Sequence, residues 1–259
     1  MKHVQLPSRR RLFGSVALLT AYAALPLTLR AALVETIPRV RRSVVAVGTH
    51  QRTRSPAFQF RGTGFAVADG RKIVTNAHVL PENMSGERRE MLAIAVPDAA
   101  SGRVAVRQAE LLKRSDDHDL AVLQVQGDAL PALGLSRSEP KEGQEIAFTG
   151  FPMGNVLGFS PVTHRGIISA ITPIGVPREH SSQLDPALVR RLTSDPFRVY
   201  QLDATAYPGN SGSPLFEPDT GRVIGVINMV FVKSTKENVL TDPSGVSYAI
   251  PVRYLEVLL

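Results

Sequence analysis

From residue 43 onward the apolar positions fall into short β-type runs separated by turn residues. Ser43 to Thr49 (S-V-V-A-V-G-T) is rich in β-branched side chains. Gly62 to Ala68 (G-T-G-F-A-V-A) mixes apolar residues with glycines, as strands that bend around a barrel do. Asp69-Gly70 is a strong hairpin turn, from which Lys72 to Thr75 returns as a strand. Runs at Met91–Val96, Arg103–Leu112 and Leu120–Val125 complete a first set of about six strands, spaced as all-β barrels tend to be. Leu130 to Gln144, with Pro131, Pro140 and Gly143, reads as the link between two halves. A second set follows at Glu145–Gly150, Val162–Ala170, Val199–Leu202, Ser213–Phe216, Arg222–Val230 and Val246–Ile250. Thr172 to Arg198 interrupts it with proline and charge; within it, Asp185-Pro186 ahead of A-L-V-R-R-L predicts one short helix. Val252, Leu255 and Leu258-Leu259 predict a closing helix over 251–259.

Charge changes the picture only at one end. Residues 1–42 hold eight basic residues against Glu35 alone, so they account for the whole formal charge of +7 and the remainder is neutral. A nucleic-acid partner for the folded part therefore loses its main support. Ser8-Arg9-Arg10-Arg11-Leu12-Phe13, with the apolar run that continues to Leu29, reads as the basic region and hydrophobic core of an export signal. The three arginines fit a twin-arginine route and a plain basic region equally. Ala21-Tyr22-Ala23 offers a cleavage site, while an uncleaved leader would be a membrane tether; in both cases the rest is carried to the far side of the membrane. With no cysteine, disulfides, thiolate metal sites and a cysteine nucleophile are excluded.

The candidate chemistry centres on Ala206 to Phe216, A-Y-P-G-N-S-G-S-P-L-F. A serine flanked by glycines sits on backbone that turns sharply and brings its own N–H groups close to a bound carbonyl. Alone, G-N-S-G is equally good turn chemistry. Context comes from His78 in T-N-A-H-V, just past a strand end, and from Asp119 at the head of D-L-A-V-L-Q-V. A carboxylate there accepts Nδ1–H from an imidazole and fixes its tautomer. His118 beside Asp116, Asp117 and Asp119 makes no metal site: four adjacent polar residues cannot all face one ion, and no metal or other cofactor is called for.

The segments G-T-G-F-A-V-A…T-N-A-H-V, D-L-A-V-L and P-G-N-S-G, in this order, resemble trypsin-like serine proteases of the Deg/HtrA type. Phe148 to Gly154, Val162 to Ala170 and Tyr248-Ala249-Ile250-Pro251 extend the resemblance over about residues 43–255. It implies an all-β, chymotrypsin-like fold: two six-stranded antiparallel barrels, about 43–130 and 142–250, with the active site in the cleft between them. It also implies a Ser211–His78–Asp119 triad with an oxyanion hole from the N–H groups of Gly209 and Ser211. Ser213 departs from the family's G-N-S-G-G, and Asn210 stands where digestive relatives carry an aspartate. Because the sequence ends soon after Pro251, the PDZ domains usual in Deg/HtrA members are expected to be missing. Thr205 occupies the position six before the nucleophile that is acidic in enzymes cutting after Arg or Lys, so small or medium apolar residues are the expected P1. Ile227, Asn228, Met229 and Val230 are the expected substrate-pairing strand. The function so implied is an exported endopeptidase acting on unfolded or damaged envelope proteins, its partners being polypeptide substrates. A homotrimer, with activation or trimer contacts through 172–198, follows from the same resemblance. The alternative is a non-hydrolytic or latent scaffold that binds polypeptide in the same cleft; the presence of all three chemical groups argues against it.

Overall fold

The computed structural model describes residues 27–81, 90–97, 103–154, 158–173, 197–228 and 246–259. Its framework is twelve strands: β1 (Val44–His50), β2 (Phe58–Val67), β3 (Lys72–Thr75), β4 (Met91–Pro97), β5 (Val104–Ser115), β6 (Leu120–Val125), β7 (Glu145–Gly150), β8 (Val162–Pro173), β9 (Arg198–Asp203), β10 (Pro214–Phe216), β11 (Val223–Asn228) and β12 (Val246–Pro251). They close into two antiparallel barrels, β1-β2-β3-β6-β5-β4 and β10-β11-β12-β9-β8-β7. Read from β7, the second barrel has the connectivity of the first. The expected all-β, two-barrel architecture is therefore what the chain adopts.

Continuous apolar runs rather than clean alternation mark these strands, and the packing gives the reason. Val45 and Val47 of β1, Ile73 of β3, and Ala121 and Leu123 of β6 fill the first barrel. The intervening Val44, Ala46, Val74, Leu120 and Val122 face a second cluster, where they meet Phe151, Phe216, Val223, Val226 and Ile250 from the other half. Both faces are thus buried, one in the barrel and one in the seam between barrels, so polar alternation is lost. The second barrel has its own filling of Ile146, Phe148, Ile168, Leu202, Leu215, Ile224 and Ile227. The link between halves is stitched to both: Leu133 N–H donates to Ala66 O, and Ser136 N–H donates to Val223 O, at 2.9 and 2.8 Å.

Among the described residues, two α-helices lie outside the barrels. α1 (Leu27–Arg41) falls where leader and basic linker were expected. It docks on the β10–β11 turn: Val40 is 1% exposed, Thr36 Oγ1 donates to Asp219 O at 3.3 Å, and an Arg39 guanidinium nitrogen donates to Thr220 O at 3.4 Å. The closing helix expected over 251–259 is one turn, α2 (Arg253–Glu256), with Val252, Leu255 and Leu258 buried on the second barrel. The predicted helix near Asp185 lies outside the described residues, as do residues 1–26. Among the described residues no helix is long and apolar enough to cross a membrane.

Candidate active site at the seam of two barrels

β3 ends at Thr75, and the next residues tighten into a single 3₁₀ turn, Ala77–Val79, that lifts His78 off the strand end. Opposite it, Asp119 sits immediately before β6 with φ +50°, in the left-handed region that few non-glycine residues occupy. Its backbone is fixed there because Asp119 O accepts from Asn76 Nδ2 at 3.0 Å and from Ala77 N–H at 3.2 Å. Such strain persists only where the surroundings over-determine it.

The result is a carboxylate aimed at an imidazole. Asp119 Oδ1 accepts the His78 backbone N–H at 2.8 Å, and Oδ2 lies 2.6 Å from His78 Nδ1. Because a carboxylate only accepts, Nδ1 carries the proton and Nε2 keeps its lone pair. A third donor arrives from the other barrel: Asn228 Nδ2 reaches Oδ2 at 2.6 Å. Asn228 was expected on the substrate strand; its side chain, buried and at the end of β11, completes the coordination of Asp119.

Ser211 lies in the loop before β10, and that loop is bonded to the first barrel. Thr63 N–H of β2 donates to Ser211 O at 2.8 Å, Thr63 Oγ1 donates to Gly209 O at 2.7 Å, and Phe151 N–H donates to Thr63 Oγ1 at 3.1 Å. Gly212, at φ +87°, passes so close to β2 that a Cβ would stand 2.0 Å from Thr63 O, which admits only glycine. From the second barrel, Gly212 N–H donates to Ile227 O and Ile227 N–H donates to Ser213 O, both at 2.9 Å. Ile227, also expected to pair with substrate, commits both backbone groups to this loop. Ser213, a departure from the G-N-S-G-G pattern expected above, is accommodated fully buried, its hydroxyl without a partner among the described residues.

Tyr207-Pro208-Gly209-Asn210 is a tight turn. Asn210 N–H donates to Tyr207 O at 2.9 Å, with proline second and Gly209 third at φ +99°, the type II arrangement. The Pro208 carbonyl is taken by Met153 N–H at 2.7 Å, and Met153 also holds a left-handed φ of +48°. Since C=O and N–H of a trans peptide point oppositely, Gly209 N–H is turned away from Met153. Among the described residues neither Gly209 N–H nor Ser211 N–H donates to a protein acceptor. Nor does a hydrogen bond link the hydroxyl of Ser211, a residue 5% exposed, to the His78 ring. Such contacts are often long before substrate arrives.

Thr205 is half-buried, in a segment braced by Ala206 N–H donating to Ser247 Oγ at 2.9 Å and Ser247 Oγ donating to Ala204 O at 2.7 Å. Met229 and Val230 lie outside the described residues. Beneath the loop, His164 stacks on Phe148 at 4.8 Å, and burial lowers its pKa from the ordinary value. Sequence reasoning did not single out Thr63, Asn76 or Met153 as individual supports, although each stood inside a quoted motif.

Two closed antiparallel barrels with an imidazole, a carboxylate and a serine loop gathered at their seam define the chymotrypsin class of fold. The trypsin-like peptidase domain matches residues 62–226, and the chain belongs to that family. It is similar to the probable periplasmic serine endoprotease DegP-like of Halomonas elongata, with 35% identity over 193 residues that cover 74% of this chain and 32% of that protein. The protein of the same name from Hahella chejuensis is 32% identical over 211 residues, covering 79% and 36%. The chain thus spans about a third of the length of these relatives. A crystal structure of the serine endoprotease from Yersinia pestis shares the fold, with a TM-score of 0.59 at 24% identity over 87% of this chain and 66% of that one.

Proposed function

We propose that the protein is an exported serine endopeptidase in which Ser211 is the nucleophile, His78 the general base and acid, and Asp119 the group that orients and stabilises the imidazolium. The observation that carries this reading is the pairing of His78 with Asp119 at 2.6 Å, beside a serine loop bonded to the same barrel. His78 Nε2 takes the Ser211 proton as Oγ attacks the carbonyl; the tetrahedral oxyanion is met by Gly209 and Ser211 N–H. One such donor is worth about a hundred- to a thousandfold in rate. The proton then passes to the leaving amine, and water, deprotonated by His78, releases the acyl half and restores Ser211.

With Thr205 and no acid at the pocket position, cleavage follows small or medium apolar residues; faster cutting after Arg than after Val or Leu would overturn that preference. The substrate backbone pairs from Asn228 onward through Met229 and Val230. The periplasmic relatives support an envelope location, and unfolded or damaged envelope proteins are the proposed substrates. The Thr172–Arg198 insertion is assigned to activation or homotrimer contacts, a role lost if deleting 178–194 leaves activity and assembly unchanged.

Labelling with a fluorophosphonate probe tests the assignment. The parent labels, Ser211→Ala does not, and His78→Ala labels far more slowly; persistent labelling of Ser211→Ala refutes it. A second reading, a latent or non-hydrolytic polypeptide binder, draws on the missing Ser211–His78 hydrogen bond. A parent that never labels selects it.

A further inference from the structure

Arg61 belongs to no interaction used above. It is the extra residue of a β-bulge: Val47 pairs with Gly62 and Gly48 with Phe60, so Arg61 has no cross-strand partner. Bulges re-aim side chains, and they recur beside active sites. The residues on either side of Arg61 reach the nucleophile loop. Phe60 lies against Gly209, whose absent Cβ would be 3.0 Å from the Phe60 ring, and Thr63 N–H is bonded to Ser211 O. Arg61 itself is exposed, and its Nε donates to Val79 O at 2.7 Å, the carbonyl of the residue after His78. Its two Nη nitrogens have no acceptor among the described residues.

This is an anchored guanidinium with a free end. The Nε bond fixes the plane, leaving the two Nη groups to present parallel N–H donors suited to a carboxylate. Among the described residues, the acid that feels the Arg61 charge is Glu90, and it is already held: Arg54 Nη1 donates to it at 2.7 Å and Thr49 Oγ1 at 2.5 Å. Its pKa is lowered by those two hydrogen bonds first, with the Arg61 charge a smaller contributor. Among the described residues, two arginines thus act on one glutamate, and one positive charge is left over.

Resting on the peptidase reading, the position relative to the chemistry decides what meets that charge. On that reading the acyl half of the substrate pairs from Asn228 onward, beside the second barrel. The leaving group receives its proton from His78 and departs over the first barrel, where Arg61 stands. We propose that Arg61 is a carboxylate-binding subsite on the leaving-group side of the scissile bond, so that the protein selects peptides carrying a carboxylate there, from an Asp or Glu side chain or from the substrate's own C-terminus.

The test uses peptides with one apolar cleavage position, identical except for Glu, Gln or Lys at the first or second residue beyond it, each made as the free acid and as the C-terminal amide. The readout is the ratio of kcat/KM between members of a pair, which is insensitive to partial loss of active protein. For the parent at low salt, the Glu peptide is favoured over Gln by about two- to fivefold, the range of a partly exposed ion pair. The preference shrinks at 0.5 M salt, where screening acts within about 5 Å. It falls to unity in Arg61→Gln and turns toward Lys in Arg61→Glu. Preference among amides identifies the side chain as the carboxylate; preference only between acid and amide identifies the C-terminus. A parent ratio of one for every pair, or a ratio unchanged in Arg61→Gln, overturns the proposal. If the parent cuts no peptide and takes no fluorophosphonate, the peptidase reading has failed on its own. The same ratios, measured as Kd by fluorescence anisotropy on Ser211→Ala, then still decide whether Arg61 selects carboxylates.

Discussion

Replacing Asp119 by asparagine exchanges one oxygen for an NH₂ and leaves the volume unchanged, so its effect isolates the hydrogen-bond arrangement. In the parent, Oδ1 accepts His78 N–H at 2.8 Å, while Oδ2 accepts His78 Nδ1–H and Asn228 Nδ2, both at 2.6 Å. Asparagine must set its NH₂ in one of those two places. In the Oδ2 place it faces Asn228 donor to donor and donates to His78 Nδ1, driving the ring proton to Nε2, where it cannot accept from Ser211. In the Oδ1 place it confronts the His78 backbone N–H, which loses its acceptor at a cost of about 1–3 kcal/mol. Neither orientation leaves a negative charge beside the forming imidazolium. The equivalent change in a serine triad lowers kcat by about 10⁴, which at 1.36 kcal/mol per decade is about 5.4 kcal/mol of barrier. The assay is turnover of a chromogenic peptide with Val before the scissile bond at pH 7, with the thermal midpoint measured beside it. An Asp119→Asn protein that folds like the parent and keeps more than about one-tenth of its kcat would refute the roles given to Asp119 and His78.

Thr63→Val removes the hydroxyl that joins Gly209 O and Phe151 N–H; it should cost about 2–4 kcal/mol in urea unfolding and lower kcat/KM at least tenfold. An unchanged midpoint would show that this cross-barrel bond contributes nothing. Burial lowers the His164 pKa, so around and below its ordinary value of about 6.5 the unfolded chain binds more protons than the folded one. Stability therefore rises with pH up to that value and is lost on acidification; in a Ser211→Ala background, thermal midpoints from pH 7.5 to 5 should fall less steeply for His164→Leu than for its parent. Val40→Ala in α1 should cost about 1–3 kcal/mol, since the side chain is 1% exposed against the second barrel. Equal urea midpoints would mean that α1 does not support the barrel.

The barrels were legible because each strand announces itself twice, by β-branched composition and by the glycines and turns that bound it. Asp69-Gly70 and G-N-S-G, for example, mark their turns without outside help. What escaped was long-range or unmarked. Asn228 and Asp119 are 109 residues apart, and nothing local in I-N-M-V says that the amide faces a carboxylate. Left-handed backbone at Asp119 and Met153 carries no glycine to signal it. α1 was hidden by its neighbours: Leu33, Thr36 and Val40 have helical spacing, yet a polar residue at the centre, Pro38 and flanking arginines read as the tail of a leader. Val252, Leu255 and Leu258 keep the predicted spacing at the C-terminus, but only one turn of helix forms around it.

The bonds from Thr63 to Gly209 and Ser211, and from Asn228 to Asp119, make the reactive centre a product of docking rather than of either half. During synthesis the N-terminal half emerges first, with an imidazole and a carboxylate but no hydroxyl to activate. Until the last strands close on the first barrel, the imidazole and carboxylate have no serine loop beside them, so neither half alone assembles the cluster.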